Sequence, residues 1–180
     1  AMIGYAYRKG NIHFEKLNFK KIRIRKDDIG VRDTFTLDEY DKLIIAMRSY
    51  VAKKNCPDDD ERLERLMIRD YILIASNTYL RVGEQRQLTW GDIHGFETHT
   101  DVNGKEVQLV SFTVRAETSK VRQTRKMLSR GAEYFIRLKK RTEYTDDDHL
   151  IFSLDGRVPF DNRKWQRLWF NLMNEIGIPH

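Results

Sequence analysis

Residues 78–93, TYLRVGEQRQLTWGDI, place charged side chains at the junction of two hydrophobic segments. An apolar run from Leu66 to Leu80 leads into this stretch. The spacing of Leu88 and Trp90 indicates a short second helix that packs back onto the first. The stretch therefore predicts a helix end, a charged turn and a return of the chain into the core.

Arg81 and Glu84 are the charged pair of this stretch. Residues three apart on a helix share a face, so Glu84 is predicted to brace the Arg81 guanidinium. A braced guanidinium is pre-organised to bind a phosphate. An ordinary structural salt bridge explains the same pair equally well.

The composition favours one main domain with a polyanionic partner. The 180 residues can bury one good core, with room for an appendage, and they carry 33 Lys plus Arg against 27 Asp plus Glu, a net charge of +6. Apolar runs are broken by charged residues, and the amino terminus lacks the pattern of a signal peptide. The single cysteine, Cys56, favours a reducing, cytoplasmic setting.

Hydrophobic spacing and capping residues predict most of the helices. A short helix is expected near the amino terminus, ending near Gly10. Thr36 and Glu39 form a capping box for a helix that ends near Lys54. The later helices are predicted from Asp58 onward, over 131–142, and from Asp161 or Asn162 to Gly177.

The middle of the chain changes to strand-like periodicity. Strands are predicted at 90–93, 107–114 and 123–128, with an Asn103-Gly104 turn between the first two and a turn at 117–120 between the last two. These strands predict a small antiparallel sheet of about three strands. Lys120 is then expected at a hairpin tip.

Residues 13–33 alternate basic and apolar side chains, which suits an extended arm with one basic face. Such an arm could follow a DNA backbone, or it could be a solvated edge strand protected by lysines. The acidic runs at 58–60 and 146–148 are interpreted as helix and loop starts rather than as metal sites. His94 and His99 lack the array of partners that a metal site needs, so no metal and no cofactor are expected.

Taken in order, these motifs resemble the catalytic domain of the tyrosine recombinase, or phage integrase, family. The resemblance runs from residue 34 to the carboxyl terminus and rests on residues 80–84 (LRVGE), residues 118–120 (TSK) and their surroundings. It implies an α+β fold, a mostly helical DNA breaking-rejoining catalytic domain with a small three-stranded antiparallel sheet. Residues 1–33 would then be the end of a core-binding domain and a basic interdomain linker.

The resemblance also assigns roles to particular residues. It implies catalytic roles for Arg81 and Lys120, with Glu84 supporting them. Strand cleavage would proceed through a 3′-phosphotyrosine link, with Arg81 against the non-bridging oxygens and Lys120 as the general acid. Contacts to double-stranded DNA are predicted for basic residues of the arm and the hairpin: Lys20, Lys21, Arg23, Arg25, Arg115, Arg122, Arg125 and Lys126.

The sequence departs from the family pattern in two ways. Tyr79 stands where the family often has glycine. The sequence also contains no His-x-x-Arg motif and no tyrosine in the context of the nucleophile, and His180 lies too close to the last helix to be the motif's histidine. The chain is therefore expected to be an inactive fragment of a DNA recombination and integration enzyme of a mobile element.

Several alternatives remain open from the sequence. One is a non-catalytic DNA-binding module with a recombinase fold; a second is a type IB topoisomerase, which shares the chemistry but works as a monomer. A metal-dependent nuclease is a weaker third. A full-length recombinase is expected to act as a homotetramer on DNA, with no membrane partner, and to be nucleoid-associated in a bacterial or phage-derived setting.

Overall fold

A computed structural model describes residues 2–13 and 34–178, and the chain divides into two units, residues 1–34 and 35–180. In the first unit the structure has one short helix, α1 (Met2–Arg8), followed by a turn with Gly10 in the left-handed region at φ +71°. This agrees with the predicted short opening helix. The predicted basic arm lies outside the described residues, and its assignment to a linker stays a prediction.

The second unit combines five helices with one sheet over its described residues. In chain order these elements are α2 (Leu37–Tyr50), α3 (Asp59–Thr78), α4 (Val82–Arg86), β1 (Ile93–Thr100), β2 (Glu106–Val114), β3 (Arg125–Arg130), α5 (Ala132–Arg141) and α6 (Asn162–Ile176). The sheet is antiparallel with the order β1-β2-β3. The predicted mixed α+β class with a three-stranded antiparallel sheet is confirmed. No helix in the described residues is long and apolar enough to cross a membrane.

The helices begin at the predicted capping residues. Thr36 Oγ1 accepts the Glu39 N–H at 3.2 Å, and Glu39 Oε2 accepts the Thr36 N–H at 2.8 Å. Asp58 and Asp161 each accept an N–H from the first turn of α3 and α6. The acidic run at 58–60 therefore starts a helix, as predicted, because carboxylates satisfy the free amides at a helix amino terminus.

Helix α3 lies at the centre of the core. Its buried residues face α5, α6 and β3, and they join one hydrophobic cluster whose most deeply buried members include Leu43, Met47, Ile68, Ile74, Phe112, Phe135, Leu168 and Leu172. The sheet contributes alternate residues of β2, because successive side chains of a strand point to opposite faces. The apolar stripe of α6 is part of the core: Leu168 and Met173 are fully buried, and Trp165 and Trp169 pack partly buried against them.

Three predicted boundaries are wrong. Helix α2 ends at Tyr50, not near Lys54. The predicted strand at 90–93 is a 3-10 turn over Trp90–Asp92, because Asp92 Oδ2 accepts the Thr89 N–H at 3.0 Å and closes the turn.

Gly91 is needed in that turn, since a Cβ there would lie 2.8 Å from the Asp147 carbonyl oxygen.

The third strand begins at Arg125, two residues later than predicted, because residues 115–124 form a longer connection with Arg122 at φ +51°.

The junction after α3 follows the predicted course with one exception. Helix α4 is short and ends at Arg86, so Leu88 and Trp90 are buried without belonging to it. The segment that holds them is attached to a distant stretch, where the Ile151 N–H donates to the Leu88 carbonyl at 2.9 Å. The return of the chain into the core is therefore stabilised by backbone hydrogen bonds rather than by a second long helix.

Tyr79 ends α3 in the left-handed conformation, at φ 55° and ψ 25°, and its N–H donates to the Ala75 carbonyl at 3.1 Å. Side chains with a Cβ are disfavoured in this region, and glycine is the usual residue there. Tyr79 is 87% exposed, so its ring gains little from packing. Glycine is therefore the residue that the backbone conformation at position 79 favours.

We expect Tyr79→Gly to raise the free energy of unfolding by about 0.5–1 kcal/mol, because the left-handed strain is removed at a small entropic cost. Urea denaturation measures the change. Tyr79→Ala, which removes the ring but keeps the Cβ, serves as the control and is expected to leave stability nearly unchanged. Equal stabilisation by both substitutions would attribute the effect to the ring instead.

Candidate functional site

The carboxylate of Glu84 is buried, with 1% of its side chain exposed. Glu84 is the third residue of α4, and Arg81 is the residue that caps this helix. Glu84 Oε2 accepts the backbone N–H of Arg81 at 3.1 Å. A glutamate at this position can satisfy a free amide at the helix start, which explains why its side chain turns back toward Arg81.

Two arginines share this carboxylate. Arg81 Nη1 lies 3.3 Å from Glu84 Oε1, and Arg125 Nη2 donates to Glu84 Oε2 at 2.6 Å. The side chains of Arg81 and Arg125 are 53% and 35% exposed, respectively. Each guanidinium is therefore held on its inner side and open to solvent on its outer side, which is the geometry of a pre-organised anion ligand.

Burial is the largest influence on the pKa of Glu84 and acts to raise it. The hydrogen bond and charge of Arg125, the Arg81 N–H and the Ser119 side chain act in the opposite direction. Together they hold the pKa of Glu84 below the ordinary value of a glutamate. Glu84 is therefore a permanent anion at neutral pH, and its role is to position the arginines, not to transfer a proton.

The connection between β2 and β3 brings Ser119 next to this cluster. Ser119 is only 4% exposed, and its hydroxyl lies near enough to lower the pKa of Glu84 without making a hydrogen bond of good geometry to any described residue. Lys120 follows directly in the chain and is exposed. Its amine has no hydrogen bond or ion pair with the residues that the structure describes, so it is free to meet a ligand.

The structure thus brings together Arg81, Glu84 and Arg125, with Lys120 adjacent in the chain to a residue that borders the cluster. The pairing of Arg81 with Glu84 is confirmed. Arg125 was predicted only as a DNA contact, and its link to Glu84 was missed. The two residues are 41 positions apart in the sequence. They meet only because β3 pairs with β2 in this exact register.

The other predicted DNA contacts occupy different settings. Arg115 is engaged internally: its Nε lies 3.1 Å from Asp92 Oδ1, and its Nη2 donates to the Gln87 carbonyl at 2.6 Å. Arg122 and Lys126 are exposed. Those of the basic arm, Lys20, Lys21, Arg23 and Arg25, lie outside the described residues.

The histidines show little sign of metal ligation. His94 Nε2 lies 2.6 Å from Thr113 Oγ1, and His99 Nε2 lies 3.0 Å from Glu97 Oε2. Among the described residues one group has the right ligand types close together, namely Asp146, Asp148 and His149, with ligand atoms within 4.8 Å of one another. His149 Nδ1 already accepts the Asp146 N–H at 3.2 Å, and the two aspartates are exposed, as in many acidic turns.

Comparison with known proteins adds no neighbour: no family model matches the chain, and neither the curated proteins nor the solved structures contain a match.

We expect Glu84→Gln to lower the free energy of unfolding by about 2 kcal/mol at pH 7, because a neutral amide cannot neutralise two arginines and directs a donor at them. The folded-state pKa of Glu84 lies below its unfolded value, so the ionised carboxylate adds stability above about pH 4.3. That contribution is lost as pH falls through the folded-state pKa.

The difference between the wild type and Glu84→Gln is therefore expected to shrink on acidification. Urea titrations at pH 7 and pH 3 measure it. Glu106→Gln, at an exposed strand position, is the matched control and should change stability little. A pH-independent difference between Glu84→Gln and the wild type would show that the carboxylate charge is not what matters.

Proposed function

We propose that residues 34–180 are part of the catalytic domain of a tyrosine-type site-specific DNA recombinase. The observation that carries this proposal is the buried Glu84 carboxylate, which holds Arg81 and Arg125 half-exposed beside the hairpin of Lys120. Two arginines share one carboxylate, so the cluster has a net positive charge and favours an added anion. A phosphodiester in the transition state of strand cleavage is an anion whose negative charge grows, and it suits such a cluster.

The proposed division of roles follows from the exposure and the partners of each side chain. Arg81 is the more exposed of the two arginines and contacts the non-bridging oxygens of the scissile phosphate. Arg125 is a positioning residue that shares Glu84 with it, and its outer side contacts a neighbouring oxygen. Lys120 has no described partner and lies on an exposed turn, so its ammonium can approach the 5′ oxygen and give it a proton as the strand breaks.

The reaction balances without metal or nucleotide. A tyrosine hydroxyl attacks phosphorus and loses its proton to water, the bond from phosphorus to the 5′ oxygen breaks, and the departing oxygen takes a proton from Lys120, which water later replaces. The phosphotyrosine bond conserves the energy needed for rejoining. The proposal requires a nucleophilic tyrosine and a second catalytic arginine in the motif context that the 180 residues do not contain.

A non-catalytic DNA-binding module is the second candidate, and the exposed outer sides of Arg81 and Arg125 suit it equally. The same arginines would then bind backbone phosphates without chemistry. A type IB topoisomerase would use the same cluster. It would relax supercoiled DNA as a monomer, whereas a recombinase joins paired sites.

We expect the 180-residue chain to bind duplex DNA but to form no covalent adduct with a nicked suicide substrate, because the groups named above do not include the nucleophile. Denaturing electrophoresis of the protein with labelled DNA is the measurement. Any adduct that resists boiling in detergent would contradict the assignment of the missing nucleophile. Binding with a steep salt dependence is the companion expectation, since phosphate contacts release counterions.

In a protein that joins this segment to the nucleophile, Arg81→Ala is expected to reduce cleavage by about 10²-fold or more, with little loss of DNA affinity. Lys120→Ala is expected to reduce it by about 10²–10⁴-fold. A substrate with sulfur in place of the bridging 5′ oxygen separates the two roles, because a thiolate leaves without a proton.

Such a substrate should restore the rate of Lys120→Ala but not that of Arg81→Ala. Arg48→Ala, at an exposed position of α2, is the control and should cleave both substrates at the wild-type rate. Wild-type cleavage by Arg81→Ala would remove Arg81 from the site.

A further inference from the structure

Asp70 is a carboxylate in the middle of α3 with no exposed surface. It lies three residues after Met67 and four before Ile74, on the stripe of the helix that faces the core. An unpaired carboxylate in such a place would be costly, so it must have cationic partners.

Three arginines surround this single carboxylate. Arg69 Nε lies 3.1 Å from Oδ1, and Arg137 Nε donates to the same oxygen at 3.0 Å. Arg137 Nη2 also contacts Oδ1, and Arg141 Nη2 donates to Oδ2 at 2.7 Å. Arg137 and Arg141 are four residues apart on α5, so one face of that helix presents both guanidiniums to α3.

The charge of this cluster is not balanced. Within the described residues no second carboxylate lies within ion-pair distance of these arginines, so three cations share one anion. Burial is the main cause that lowers the pKa of Arg69, and the charges of Arg137 and Arg141 lower it further, although Asp70 acts to raise it. The like-charge repulsion that this implies would be relieved by an added anion.

Arg65 shows what a purely structural arginine does in the same helix. It pairs with one carboxylate, Glu61, at 2.6 Å, and a further N–H donates to the carbonyls of Tyr50 and Asn55. Arg137 and Arg141 have no such carbonyl: Asp70 is their only hydrogen-bond acceptor among the described residues. Most of their N–H donors are therefore unused.

The unused donors are held in place and reach solvent. The Arg137 guanidinium lies 5.2 Å from the centre of the Tyr134 ring, so it is held between an aromatic face and Asp70. The side chains of Arg137 and Arg141 are 39% and 20% exposed. A planar guanidinium fixed in this way can donate two parallel N–H groups to a tetrahedral oxyanion.

We propose that Arg137 and Arg141, backed by Arg69 and aligned by Asp70, bind a phosphate group at the solvent-exposed edge of the contact between α3 and α5. The phosphate is a phosphodiester of a nucleic-acid backbone or a free phosphate ion, which present the same oxygens. This site is separate from the cluster at Glu84, and it does not depend on strand cleavage. Arg65, by contrast, uses its spare donors on the carbonyls of Tyr50 and Asn55.

The first arm of the test titrates the wild-type chain with inorganic phosphate and follows the arginine Nε–H signals by NMR. Saturable shifts of the Arg137 and Arg141 signals are expected, and sodium chloride at equal ionic strength should not reproduce them. Arg137→Gln should weaken the phosphate affinity by about tenfold or more, since a charge-assisted pair of donors is lost. Arg48→Gln, at an exposed position on α2, should leave it unchanged.

The second arm measures duplex DNA affinity by anisotropy at several salt concentrations. If the phosphate belongs to a DNA backbone, Arg137→Gln should reduce the salt slope by about one, and Arg137→Lys should restore most of that slope but not the full affinity. Arg137→Gln leaves Asp70 paired with two arginines, so the fold is retained, as circular dichroism will check.

Saturable phosphate binding with an unchanged DNA slope assigns the site to free phosphate. A changed slope assigns it to the DNA backbone. Unsaturable phosphate shifts together with an unchanged slope would overturn the proposal and leave the arginines as a link between helices. Neither arm measures cleavage, so failure of the recombinase proposal and failure of this one are distinguishable.

Discussion

The buried carboxylate of Glu84 is the contact on which the geometry of the candidate site depends. It joins the helix start at Arg81 to the strand that carries Arg125, and both partners remain partly open to solvent. A buried charge is tolerated only when its partners are in place, so the folded state can adopt few other arrangements of these arginines. Because the buried carboxylate requires both partners, the two guanidiniums are held at a fixed distance from each other on the side that faces solvent.

The contacts that could be predicted from the sequence are the local ones. Arg81 and Glu84 are three residues apart, and Thr36 and Glu39 form a capping box, so their pairing follows from helical geometry alone. Arg125 reaches Glu84 across 41 positions and Arg137 reaches Asp70 across 67. Such pairs depend on strand register and helix packing, which a one-residue shift would undo.

A signal for the second cluster was nevertheless present in the sequence. Asp70 interrupts the apolar run that leads into Leu80, at a position where helical spacing points it to the core. A charge on a buried stripe requires a partner. Arg137 and Arg141, four apart on a later amphipathic helix, have the spacing of such a partner.

Where the secondary structure predicted from local periodicity was wrong, a requirement of the backbone determined the observed conformation. Trp90 and Ile93 have the composition of a strand, yet the side chain of Asp92 closes a turn there, and the chain must pass close to the Asp147 carbonyl at Gly91. Tyr79 lies at the end of an apolar helical run, yet it adopts the left-handed conformation that ends α3. Periodicity cannot detect such positions, since φ depends on where the neighbouring element begins.

Net charge is a weaker guide to an anion site than the number of unused donors. A net charge of +6 could be spread evenly over the surface, where it would be screened and unspecific. At Glu84 and Asp70 the excess is local, because one buried carboxylate holds two or three arginines whose outer N–H groups have no acceptor among the residues that the structure describes. At Glu61 the arginine has the same partner type but its spare donors are used by carbonyls. The arginines at Glu84 and Asp70 therefore differ from Arg65 in having N–H donors without a protein partner among the described residues. An oxyanion gains binding free energy where it can accept such donors.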